Sequence, residues 1–130
     1  MKHYNVVAAI IKNEEKILCV QRGFSTFDYI SKKYEFPGGK VEEGESESIA
    51  IAREIKEELC IDISVKNKFI TVNHTYPDFR ITMSCYICTA KNVDLTLTEH
   101  IDFKWLKKDE LNYLDWAAAD IPIVEKLINE

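Results

Sequence analysis

The chain has 130 residues, 46% hydrophobic and 30% charged, with 4 glycines, 3 prolines and a formal net charge of −5. That balance fits one globular domain over residues 1–130 and excludes a low-complexity or disordered chain. No block of Lys or Arg exceeds two residues, which argues against a long nucleic acid partner but not against a small anionic ligand, because bound metal reverses the local charge.

In chain order, the apolar run of "MKHYNVVAAII" is too short to span a membrane and carries no signal-peptide cleavage pattern. It predicts a first strand, no membrane association and a cytoplasmic protein. "YNVVAAIIK" and "KILCVQR" flank the polar turn "NEE" and predict a hairpin. Residues 23–33 read as a loop, and "GGKVEEGES" as a second one around Gly38, Gly39 and Gly44. Those glycines admit backbone conformations closed to other residues. "SIAIAREIKEEL" then predicts a helix, with Ser46 as N-cap and Glu47 in the first turn.

"DISVKNKFITVNHTY" is strand-like, "PDF" marks a turn, and "RITMSCYICTA" alternates. Ile81, Met83, Cys85 and Ile87 share one face of that strand, and Thr82, Ser84, Tyr86 and Cys88 the other. "DFKWL" predicts a short strand and "KKDEL" a helical turn; "DIPIVEKLINE" predicts a closing helix with Pro122 in its first turn. The order is mixed α/β without a regular βαβ succession. Neither a dinucleotide-binding nor a P-loop glycine pattern is present. Cys19, Cys60, Cys85 and Cys88 show no disulfide framework and read as small buried side chains.

On a helix, Glu54, Glu57 and Glu58 stand at i, i+3 and i+4 and share a face, while Ala52, Ile55 and Leu59 are expected to point to the core. Like charges so spaced repel by a few tenths of a kcal/mol per pair (roughly, on an exposed helix). Taken alone, such a face is usually just a solvated surface. Clustered carboxylates are also what a hard cation such as Mg²⁺ takes, sharing its shell with water and substrate phosphates. Gly38 and Gly39 would let a backbone carbonyl approach such an ion. Lys40 is placed to meet a phosphate, and Arg53 to orient Glu54.

The spacing then decides. Gly39, Glu45, Arg53-Glu54, Ile55, Glu57-Glu58 and Ile61 follow the pattern of the Nudix box, G-x5-E-x7-R-E-U-x-E-E-x-G-U with U apolar. The chain therefore resembles the Nudix hydrolases, and "EFPGGK", "LTEHIDFKWL" and "AAADIPIVEKL" extend the likeness to the MutT-type nucleoside triphosphate pyrophosphohydrolases. The one departure is Cys60, where the pattern has a helix-ending glycine. A Cβ in the left-handed conformation costs about 1–2 kcal/mol.

The resemblance implies an α/β/α sandwich around a mixed β-sheet and hydrolysis assisted by Mg²⁺ or Mn²⁺. Glu57 and Glu58 would hold metal, with the Gly38 carbonyl as a further ligand. Glu54 would be general base or water-orienting carboxylate and a metal ligand besides, and Glu45 a structural tie to Arg53. Glu99, ahead of Trp105, matches a loop carboxylate that binds metal or acts in catalysis. Arg22 and Lys40 are candidates for phosphate contacts. Asp120 falls where the subgroup places a base-reading residue, although "ADIP" equally makes it a helix N-cap. Phe36 stacks on a base or belongs to the core. His3, His74 and His100 stand isolated and receive no role.

The implied reaction cleaves a nucleoside triphosphate to monophosphate and pyrophosphate in nucleotide-pool sanitation. The base stays open between 8-oxo-dGTP and CTP or modified pyrimidine nucleotides, and the protein between monomer and homodimer. The alternatives are a hydrolase of ADP-ribose or nucleoside diphosphate sugars, which often carries an additional N-terminal segment, and a non-catalytic nucleotide-binding module, which typically lacks box carboxylates. An RNA 5′-end pyrophosphohydrolase would want a basic surface.

Overall fold

The computed structural model describes residues 1–130. The predicted hairpin is β1 (Lys2–Asn13) and β2 (Lys16–Gln21), paired antiparallel at Lys12–Ile17 and Asn13–Lys16. After the loop come β3 (Tyr34–Glu35) and β4 (Gly38–Lys40), the helix α1 (Glu47–Leu59), β5 (Ser64–Thr75), β6 (Phe79–Thr89) and β7 (Asp102–Leu106). A 3-10 segment (Lys108–Tyr113), a second one (Ala118–Asp120) and α2 (Ile121–Ile128) close the chain, with Pro122 in the first turn of α2 as expected.

Seven strands form one sheet, ordered β3-β2-β1-β6-β5, with β4 on β1 and β7 on β2. β1 runs parallel to β6 and antiparallel to β2 and β4, so the sheet is mixed. β5 pairs antiparallel with β6 through two register shifts.

Strand alternation builds a core on each face of the sheet. Val7, Ala9, Ile11, Leu18, Val20 and Cys88 pack on Ala50, Ile51, Ile55 and Leu59 of α1. Ala8, Ile10, Ile17, Cys19, Met83 and Cys85 pack on Ile123, Val124 and Leu127 of α2. The result is helix, sheet, helix, and the predicted alternation of β6 holds, with Cys85 and Cys88 on opposite faces. No helix is long and apolar enough to cross a membrane.

Three expectations are corrected. Ala52 is exposed, because the buried stripe of α1 runs through Ala50, Ile51, Ile55 and Leu59 instead. Cys60 is exposed rather than buried, since it lies past the end of α1 with φ 60° and ψ 34°. Gly38 and Gly39 form strand β4 rather than the start of a loop; the one glycine with positive φ is Gly44. Their need for glycine is steric. A Cβ on Gly38 would run into the Val7 carbonyl, and one on Gly39 would stand 2.5 Å from the Glu54 carboxyl.

Candidate active site

Ser46 caps α1 as expected, its hydroxyl accepting the Ile49 N–H at 3.2 Å. Glu47 is fixed by the Tyr86 hydroxyl at 2.6 Å, which ties the first turn of the helix to β6. Arg53 gathers the loop and the helix. Its guanidinium donates to Glu45 at 2.7 and 2.9 Å, to Glu54 at 2.8 Å and to the Lys40 carbonyl at 3.1 Å. Glu45 also accepts the Glu42 N–H at 3.0 Å. These charge-assisted bonds hold the Glu45 carboxyl down at about 2.

The three helix carboxylates occupy different surroundings. Glu57 is 59% exposed, lies 3.4 Å from Arg53 and is not among the residues lining the cavity described below, whereas the Glu58 side chain is only 7% exposed. Burial, reinforced by the charges of Glu54, Glu35 and Glu99, pushes the Glu58 carboxyl up to about 9. Its Oε1 is buried with no hydrogen-bond partner, a costly arrangement for an anion. Burial also raises Glu54, against the pull of Arg53.

Glu54, Glu58 and Glu99 line one wall of a cavity of about 980 Å³, at the upper end of the range for small-ligand sites. Arg22, Lys40, Gly38 and Gly39 line it beside them. Tyr76, Phe79, Ile81 and Met83 supply an apolar wall, with Asp120 among them. Lys40 Nζ sits 4.1 Å from the Tyr4 ring centroid, and Arg22 lies 3.7 Å from Glu35.

Asp120 does not cap α2 with its side chain. Its Oδ2 instead accepts the Phe36 N–H at 2.9 Å. The reason is a zipper between distant segments: Tyr34 N–H donates to Asp115 O at 2.8 Å, Ala117 N–H to Tyr34 O at 2.9 Å, and Ala119 N–H to the Tyr76 hydroxyl at 3.0 Å. Burial and the Glu35 charge raise the Asp120 carboxyl well above the usual range. Phe36 is buried and stacked on Trp116 at 4.8 Å, so its ring belongs largely to the core.

His100 is not isolated. Its buried ring places Nε2 3.0 Å from Glu35 and 3.9 Å from Glu58, and Nδ1 has no partner. With Nε2–H as donor to Glu35, Nδ1 is left as a bare acceptor, not an orphaned donor. Neither His100 nor Glu35 was singled out from the sequence. The available signal was adjacency: His100 follows Glu99 and Glu35 precedes Phe36.

A divalent cation fits this donor set. The candidate ligands are hard oxygens, and one of them, Glu58 Oε1, is unsatisfied. No three Asp, Glu, His or Cys side chains converge as a finished metal cage.

Comparison with known proteins agrees with the geometry. The CTP pyrophosphohydrolase of Escherichia coli K12 is 34% identical over 125 residues, 96% of this chain and 91% of that protein. The 8-oxo-dGTP diphosphatase of the same organism is 29% identical over 127 residues, 98% of each. The solution structure of a DNA mismatch repair protein MutT (family Nudix hydrolase) from methicillin-resistant Staphylococcus aureus 252 is 45% identical, with a TM-score of 0.75 over 99% of this chain and 98% of that one. The family model for the NUDIX domain matches residues 6–126, from β1 through the acidic helix into α2, and the chain belongs to that family.

Proposed function

We propose that the protein hydrolyses a nucleoside triphosphate to nucleoside monophosphate and pyrophosphate, with Mg²⁺ or Mn²⁺ as the ion. Nudix hydrolases generally act with a divalent metal. The observation that carries the reading is one cavity joining the acidic wall of Glu54, Glu58 and Glu99, the cations Arg22 and Lys40, and an apolar wall bearing Asp120. Triphosphate, metal and base each have a matching surface there. The names of the two Escherichia coli relatives support the same class, and an oxidised purine or a cytosine nucleotide as substrate.

In this reading Glu58, Glu57 and the Gly38 carbonyl hold the metal. When bound, the ion neutralises the triphosphate and acidifies the attacking water. Glu54 accepts that water's proton, held in orientation by Arg53 at 2.8 Å. Water attacks the β-phosphorus, and the bond to the α-bridging oxygen breaks, so the monophosphate leaves. Glu99 adds a carboxylate from the loop, Arg22 and Lys40 contact phosphate oxygens, and Asp120 reads the base edge. Glu45 serves the site structurally, by fixing Arg53 at 2.7 Å.

Residues 1–130 are read as one domain, because both cores share one sheet. We place it in the cytoplasm, acting on small nucleotides.

The test is pyrophosphate release with Mg²⁺ across CTP, dCTP, 5-methyl-dCTP, dGTP, 8-oxo-dGTP and ADP-ribose, with Glu58→Gln as control. Release from one or a few triphosphates is expected. Cleavage of ADP-ribose to two monophosphates with no pyrophosphate from any triphosphate would replace the reading with diphosphate-sugar hydrolysis.

A further inference from the structure

Glu99 is exposed and lies in the irregular segment between β6 and β7, where no strand ladder fixes it. Its two neighbours are nevertheless tied down. The last turn of a helix leaves carbonyls without partners inside the helix. In α1 those of Glu57, Glu58 and Leu59 are taken by this segment. Thr96 N–H donates to Leu59 O at 3.1 Å and Thr98 N–H to Glu58 O at 3.1 Å. The Thr98 hydroxyl donates to Glu57 O at 2.9 Å and lies 3.2 Å from Glu58 O.

The residues whose side chains are candidate metal ligands thus offer their carbonyls to the loop that carries the next carboxylate. On the other side of Glu99, the buried His100 ring bonds Glu35 at 3.0 Å. Glu99 lines the same cavity as Glu54 and Glu58, and its charge acts on both.

We infer that Thr98 and His100 are positioning residues that hold the Glu99 carboxylate against the acidic face of α1. The inference rests on the role given to Glu99 in the proposed reaction. Thr98 acts through Glu99, since its hydroxyl is used up on helix carbonyls. The main-chain bonds at residues 96 and 98 already cover the end of the helix. The side-chain bond adds orientation at the position next to Glu99.

Thr98 is the cleaner test, because removing His100 also strips the partner of Glu35. Thr98→Val removes the hydroxyl at nearly constant shape, and Thr98→Ser keeps it. Each is made with Glu99 intact and with Glu99→Gln, and Thr98→Ala replaces the valine variant if that does not melt cooperatively. The readouts are Mn²⁺ affinity of the nucleotide-free protein, and kcat and KM for pyrophosphate release. Loss of an outer-shell residue beside a metal site typically costs about tenfold or more. Thr98→Val is therefore expected to lower Mn²⁺ affinity and kcat about tenfold, with KM within about twofold. Thr98→Ser restores most of both. With Glu99→Gln in place, adding Thr98→Val changes nothing further.

Equal losses in both backgrounds would overturn the inference, as would no loss in either. A silent Glu99→Gln would overturn the role of Glu99 and this inference with it, a pattern distinct from additive losses beside an active Glu99. If no triphosphate is cleaved, the Mn²⁺ affinities alone decide.

Discussion

Gly39 faces the Glu54 carboxyl so closely that a Cβ there would stand 2.5 Å from both its carbon and Oε2. Glu54 is also held by Arg53 at 2.8 Å, so moving its carboxyl aside disturbs that bond. Gly39→Ala is therefore expected to displace the candidate base while leaving both cores untouched. We predict a loss in kcat of about a hundredfold, the order of effect a misplacement of about 1 Å produces. Steady-state kinetics beside a melting curve would check it; near-normal kcat would remove Glu54 from the chemistry.

Glu58 is a liability without metal. Burial pushes its carboxyl up to about 9, so at neutral pH the folded chain must keep a proton that the unfolded chain sheds, a cost that an amide does not carry. Glu58→Gln should raise the melting temperature of the protein in EDTA and abolish most turnover. Mg²⁺ should stabilise the wild type, because it binds the folded state, and leave the variant where it was. A wild type that ignores Mg²⁺ in the melt would sink the assignment of Glu58 as ligand.

Asp120 carries a pH signature. Burial raises its carboxyl well above 3.8, so from about pH 4 upward the unfolded chain sheds a proton that the folded chain keeps. Its contribution to stability therefore falls as pH rises from there through the folded value. Asp120→Asn still offers an oxygen to the Phe36 N–H and removes the titration. Melting temperatures of the two proteins should coincide near pH 3 and diverge toward neutrality in favour of the asparagine. The same variant should reorder the preference among bases. An unchanged order would leave Asp120 a structural link to Phe36.

Cys60 is the departure from the family pattern, and it sits at φ 60° and ψ 34°. Cys60→Gly relieves the left-handed strain and adds chain entropy to the unfolded state, for a net gain of about 0.5–1 kcal/mol. For a domain of this size that is about 2–4 °C in melting temperature. Turnover should stay within about twofold, because the Cys60 side chain is exposed and lies outside the cavity. Differential scanning calorimetry of the two proteins measures the gain.

The legible parts of the molecule were those set by local pattern. Strand alternation in β6 and the Ser46 cap are short-range features, and they stand as expected. What escaped depends on contacts between distant segments. Asp120 reads as a helix cap until Phe36, 84 residues away, claims its oxygen. His100 looks solitary until β3 delivers Glu35, 65 residues earlier in the chain. Gly38 and Gly39 announce themselves as conformational glycines, whereas their Cα atoms are crowded by β1 and by Glu54. Glu57 and Glu58 are neighbours of identical chemistry, and only the packing of α1 shows that one is solvated and the other buried.

β1 is made early and paired late. Its run from Val7 to Ile11 is buried in the finished sheet, and all of it but Asn13 lies in parallel register with β6, from Lys2–Phe79 to Lys12–Thr89. During synthesis at about 5–20 residues per second, the chain carries this apolar strand for several seconds before residues 79–89 exist to cover it. An uncovered strand edge of that kind templates self-association. The demand on chaperones is thus concentrated in the interval between translation of the first hairpin and emergence of β6, and slower elongation through residues 14–89 would lengthen that exposure.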